Sequence, residues 1–167
     1  MLPSRARSAQ TRVVGFLAGD MFERFSDSTR RVLFNAHLAA GQAGSPTIDG
    51  EHLLLGLLVK CEDGVDAILA GAGLAPEALR AGLATPVTTE AAGSTELALG
   101  EEGQRVLQLA VEEADTLGSD RAGSGHVLLG LIRCHDLPVG QRLHDQGLRL
   151  ESARACPRLM PPERKSS

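Results

Sequence analysis

Apolar residues first recur with a helical period over residues 27–43, where Val32, Ala36, Ala39, Ala40 and Ala43 fall at i, i+4, i+7, i+8 and i+11. That spacing sets them on one helix face. Ser26 or Asp27 supplies a good N-cap type, and Gly44-Ser45-Pro46 stops the helix. A short loop with Thr47 and Ile48 leads to Asp49, a fair N-cap for a second helix over roughly 50–59. This second helix is apolar nearly all round, through Leu53, Leu54, Leu55, Leu57 and Leu58, so it is expected to be the buried one. Asp63-Gly64 opens a third helix that runs to about Ala70 and ends at Gly71 and Gly73. Pro76 stands near the start of a fourth, which ends near Leu83.

The pattern then replays. Gly50-Glu51-His52-Leu53-Leu54-Leu55-Gly56-Leu57-Leu58 returns as Ser124-Gly125-His126-Val127-Leu128-Leu129-Gly130-Leu131-Ile132, 74 positions later (126 − 52). The same offset carries Arg31-Val32-Leu33 to Arg105-Val106-Leu107, Leu69 to Leu143, and Gly73-Leu74 to Gly147-Leu148. A repeat held without a gap on both sides marks a tandem duplication. The second copy predicts helices over about 101–117, 125–133, 139–146 and 149–156. The expected fold is all-α: two pseudo-symmetric four-helix repeats packed as one domain, since neither unit can bury its apolar helix alone. We place repeat 1 at about 21–84, a polar linker at 85–96 and repeat 2 at about 97–157.

The chain ends are expected to be disordered, with a flexible leader over 1–20 and a proline-rich, charged tail over 158–167. Arg5, Arg7 and Arg12 before Val13-Val14-Gly15-Phe16-Leu17 resemble a weak signal peptide. The apolar run is short and Asp20-Met21 is a poor cleavage context, which favours a leader or a start at Met21.

Composition narrows the function. With aromatic residues at 2% and neither Trp nor Tyr, the core must be aliphatic. A net charge of −4 argues against nucleic acid as the main partner. No apolar run reaches the roughly 18 residues of a membrane span. Cys61, Cys134 and Cys156 are too few and scattered for a disulfide framework, so reduced thiols and a cytoplasmic location are expected.

Met21-Phe22-Glu23-Arg24-Phe25-Ser26-Asp27, followed by the glutamate–histidine pair that opens the leucine-rich helix, resembles the N-terminal domain of ClpC-type unfoldases over about residues 21–156. The resemblance implies a helical, non-enzymatic module that docks adaptors and substrates for a Clp ATPase. No Gly-x-x-x-x-Gly-Lys-Ser/Thr occurs, and Lys60 and Lys165 are the only lysines, so no ATP hydrolysis and no cofactor are expected. The implied partners are Clp ATPase and protease components, adaptors or substrate proteins, and cyclic-peptide antibiotics that bind such domains.

Some ClpC N-domains bind phosphorylated arginine, and the resemblance carries that role to Ser26 and Glu51 in repeat 1. The ligand needs donors for its phosphoryl group, which a hydroxyl-capped helix start supplies, and a carboxylate for its guanidinium. The 74-residue offset lands on Gly100 and Gly125, which lack both groups, so a second pocket is expected to be dead. The plainer reading of Glu51 is an acid favoured by the helix dipole, and of Ser26 a simple N-cap. Both readings stay open on the residues alone.

Phe22, with Arg30 and Arg31 as a positive edge, is a candidate partner-binding groove, while Phe25 is expected in the core. His52 and His126 each stand alone at a helix head without ligand spacing to other His or Cys, which favours structural histidines over metal or catalysis. Cys134-His135-Asp136 are sequence neighbours that cannot converge as a triad. Three functions follow in order: a binding module acting as adaptor, substrate receptor or competitor in Clp-dependent proteolysis; a decoy that sequesters antibiotics or marked proteins; and, last, a hydrolase resting on the histidines.

Overall fold

The computed structural model describes residues 23–45, 47–61, 64–82 and 98–156. Its order is α1 (Asp27–Gln42), β1 (Thr47–Ile48), α2 (Gly50–Lys60), α3 (Val65–Gly71), α4 (Pro76–Gly82), β2 (Ala98–Leu99), α5 (Glu101–Thr116), α6 (Ser124–Arg133), α7 (Pro138–Asp145) and α8 (Leu150–Arg154). The fold is all-α, with four helices in each repeat among the described residues. Helix starts and stops fall within a residue or two of the caps that the sequence offers, Ser26 capping α1 among them. The leader, the linker over 85–96, the tail and Phe22 lie outside the described residues.

Each repeat is built on one tight helix pair, α1 with α2 and α5 with α6. The crossings are made at matched glycines. A Cβ at Gly56 would lie 2.5 Å from the Val32 carbonyl oxygen, and one at Gly130 would lie 2.6 Å from that of Val106. Only glycine allows that approach without moving the backbone. The apolar helices α2 and α6 then face each other across the molecule, with Leu53, Leu54, Leu128, Leu129 and Leu131 sealed from solvent in one shared core. Phe25 is fully buried in that core.

The Thr47-Ile48 stretch, expected as loop, pairs in parallel with Ala98-Leu99 from the second repeat. Its counterpart is the bridge between Phe25 and Ala122. The segment before the first helix of each repeat therefore pairs with the segment before the buried helix of the other. The 74-residue offset relates the two pairings, carrying Phe25 to Leu99 and Ile48 to Ala122. Two-residue strands have no independent stability. They form here because buried backbone N–H and C=O groups at the repeat interface need partners. Arg24 reinforces the crossing, donating to the Asp120 carbonyl at 3.0 Å and pairing with Asp115.

Candidate functional site

The crossed connections create two junctions, each joining a helix start of one repeat to a buried-helix head of the other. At the first, the Ser26 N–H donates to Ala122 O (3.0 Å), and Ser26 Oγ accepts from Thr29 N at 3.4 Å. The Thr29 hydroxyl donates to the same Ala122 carbonyl at 2.7 Å. Ser28 Oγ accepts the Ser124 N–H at 3.1 Å and lies 2.8 Å from Ser26 Oγ. The starts of α1 and α6 thus converge around hydroxyl groups, where helix dipoles favour negative charge. The next residue of α6 is Gly125, so no carboxylate completes this junction.

At the second junction, the Gly100 N–H at the cap of α5 donates to Ile48 O at 3.0 Å. A Cβ at residue 100 would strike Asp49 Oδ1 and lie 3.1 Å from Thr47 Oγ1, so this junction excludes a side chain there. Asp49 Oδ1 already accepts from the Thr47 hydroxyl at 3.0 Å. Glu51 follows in the first turn of α2, half-buried and with no hydrogen-bond or ion-pair partner among the described residues. No hydrogen bond joins Ser26 to Glu51 among these residues. Ser26 faces the second repeat's loop, while Gly100 faces the helix head that carries Glu51. The sequence pattern suggested that a carboxylate and a hydroxyl of one repeat share a pocket; the contacts assign each to its own inter-repeat junction.

The two histidines lock the helix heads. His52 Nδ1 accepts the Asp49 N–H at 2.9 Å, and His126 Nδ1 accepts the Gly123 N–H at 2.9 Å. This is the reaching-back half of a capping box, with imidazole at the third helical position in place of a carboxylate or amide. An accepting Nδ1 puts the proton of the neutral ring on Nε2. Burial lowers the pKa of His52 below its ordinary value, against the raising effects of Asp49 and Glu51. Burial pushes the thiols of Cys61 and Cys134 up, away from the reactive thiolate. Among the described residues no group of three His, Cys, Asp or Glu side chains could hold a metal ion, and no helix is long and apolar enough to cross a membrane.

A further cavity, of about 210 Å³, opens on the outer side of the α1–α2 pair. Arg31, Val32 and Phe34 form one wall, with Leu57, Val59 and Lys60 opposite. Of the arginines expected at a groove, Arg31 lines this cavity; Arg30 pairs weakly with Asp27 at 4.0 Å on its own helix. The exposed Phe34, Leu38 and Val59 were not evident from helical periodicity. The signal was available in the duplication, because their counterparts at +74 are Gln108, Glu112 and Arg133. Also unforeseen is Glu113, a fully buried carboxylate gripped by Arg154 through two bonds of 2.7 and 2.6 Å and by Arg133 at 3.2 Å.

Two crossed repeats around one leucine core, without a cluster of reacting groups among the described residues, define a helical module of duplicated origin. The model of the Clp repeat (R) N-terminal domain matches residues 24–146, and the chain belongs to that family. It is 31% identical over 134 residues to the negative regulator of genetic competence ClpC/MecB of Bacillus subtilis, a match covering 80% of this chain and 16% of that protein. The chain thus spans about a sixth of that relative's length. In structure it is similar to the N-domain of ClpV from Vibrio cholerae, with TM-score 0.68, 18% identity, and 81% and 84% of the two chains covered. A complex of the ClpV N-domain with a VipB peptide gives TM-score 0.67 at 21% identity, covering 81% of this chain and 86% of that one. At these identities the structural likeness shows the fold alone.

Proposed function

We propose that this chain is a non-catalytic docking module for protein segments in Clp-dependent proteolysis, serving as adaptor, substrate receptor or competitor. Membership of the Clp repeat family supports the class, and the ClpV N-domain complex shows one fold relative receiving a peptide. The observation that carries a ligand assignment is Glu51, a half-buried carboxylate at an inter-repeat junction with no bonded partner among the described residues. It is placed to accept a guanidinium, and the N–H groups at the start of α5 across the junction are the donors for a phosphoryl group. A phosphoarginine-like side chain fits that pair of demands, through the junction that repeat 1 supplies. The hydroxyl of Ser26 stands at the other junction, where Gly125 gives no carboxylate.

Calorimetric titration with phosphoarginine and with arginine tests this reading. One-site binding of the phosphorylated form is expected, lost in Glu51→Ala and kept in Ser26→Ala. Loss in both variants would restore a single pocket shared by the two residues. No binding at about millimolar ligand, a free energy of roughly −4 kcal/mol, would sink the phosphoarginine assignment. The broader reading is tested by adding the chain to a Clp ATPase–protease degradation assay, where a changed rate is expected. Binding without any change in rate is the behaviour of a decoy.

A further inference from the structure

Soluble domains rarely leave large apolar side chains side by side on the surface without a use. Phe34 and Leu38 stand one helical turn apart on α1, and Val59 stands near the end of α2, exposed by 61%, 46% and 52%. Phe34 and Val59 border the cavity of about 210 Å³ between the two helices, whose floor includes Val32, Gly56 and Leu57. Arg31 and Lys60 are among its walls, and no carboxylate is among the described residues lining it.

The second repeat serves as an internal control. It uses the same helix pair and the same glycine crossing, yet carries Gln108, Glu112 and Arg133 at the three matched positions. Arg133 and Glu112 are ion-paired there at 3.2 Å, and the arginine matched to Arg31, Arg105, is held by Asp136 through bonds of 2.8 and 3.2 Å. The fold therefore does not require an apolar outer face, and repeat 1 departs from its own duplicate in a consistent direction. We infer that the outer α1–α2 face of repeat 1 docks a partner segment that carries bulky apolar side chains flanked by carboxylates. The apolar side chains enter the cavity over Val32 and Leu57, and the carboxylates meet Lys60 and Arg31 at its edge. Apolar anchors in a pocket with a charged rim is the usual anatomy of a specific interface. The inference rests on the docking reading above, and it names a surface distinct from the Glu51 junction.

The test uses the whole chain and three labelled peptides of equal length: one with leucine, phenylalanine and glutamate, one with lysine replacing glutamate, and one with glutamate but no apolar residue. In anisotropy titrations the first is expected to bind about tenfold more tightly than either of the others. The combined Phe34→Gln, Leu38→Glu and Val59→Arg variant brings in residues that repeat 2 already carries, and its melting curve checks the fold. It is expected to lose the preference, and Lys60→Glu alone is expected to shift it toward the lysine peptide. Equal binding of the first peptide by the triple variant, or preference of the native chain for the lysine peptide, would overturn the inference. So would a dimer in light scattering that the triple variant abolishes, since the face would then belong to a second copy. If the peptide results hold while the chain leaves Clp proteolysis unchanged, the surface stands and the Clp reading falls. If the chain alters proteolysis equally with and without the triple substitution, the Clp reading stands and the surface falls.

Discussion

The two repeats have the same skeleton and opposite outsides. Both cross their first two helices at a glycine, both cap the buried helix with a histidine, and both lend a strand to the other. Beyond that frame, repeat 2 ties itself together with charge. Glu113 on α5 holds Arg154 of α8 and Arg133 of α6, and Arg105 holds Asp136. In repeat 1, Ala39 stands where Glu113 does, so the matched arginine, Arg80, turns instead to the Leu58 carbonyl at 2.7 Å. Features kept in both copies are those the crossing geometry demands, whereas features that differ were free to acquire other uses. The comparison separates frame from function without any second protein.

The sharpest way to break this comparison is at the glycine crossings. Gly56→Ala and Gly130→Ala each force a methyl group against a carbonyl oxygen, and each is expected to cost about 3 kcal/mol, near the top of the usual overpacking range. Because one core spans both repeats, urea melts of both variants are expected to stay single-step with similar midpoints. Two separate transitions would show that the repeats unfold independently. A smaller effect is expected at the charge cluster. Glu113→Gln removes a fully buried anion from two arginines that are 37% and 29% exposed. The loss is expected to be about 2 kcal/mol, less than for a fully buried pair, because both arginines can turn to water. Arg80→Ala in repeat 1 is expected to cost about 1 kcal/mol or less, since it removes one bond from a carbonyl. Equal losses in the two variants would erase the claimed asymmetry.

Much of this was legible in the sequence, for identifiable reasons. Helix positions followed from the 3.6-residue period and from side chains that cap, such as Ser26, whose acceptor role is local. The strands were not legible. Two residues carry no periodic signal, and Thr47-Ile48 pairs only because the distant Ala98-Leu99 is brought beside it. The same crossing explains why Ser26 and Glu51, close in one repeat's sequence, face different junctions. Glu113 escaped notice because an acid within an apolar helix face reads as solvated unless its partners, 20 and 41 residues away, are known. The apolar outer face was hidden from periodicity, which marks what points inward, but not from alignment of the chain with itself.

The smallest expected effect concerns the feature that the repeats share most closely. His52 can accept the Asp49 N–H only while its Nδ1 is unprotonated, and burial holds its pKa below the ordinary 6.5. In the unfolded chain the ring regains that ordinary value, so as pH falls through it the unfolded state takes up a proton that the folded state refuses. By linkage, stability is full above the unfolded value, declines as pH drops from there toward the lowered folded value, and levels off below it. His52→Gln keeps an acceptor at the third helical position but removes the titration. Melts between about pH 8 and about pH 5 are therefore expected to show a shallower acid loss in His52→Gln than in the native chain. An unchanged slope would mean that the neutral imidazole is not what fixes this helix head. His126→Gln, measured alongside, shows whether the matched bond at Gly123 carries the same acid sensitivity or whether the Asp49 and Glu51 charges set the first repeat's head apart.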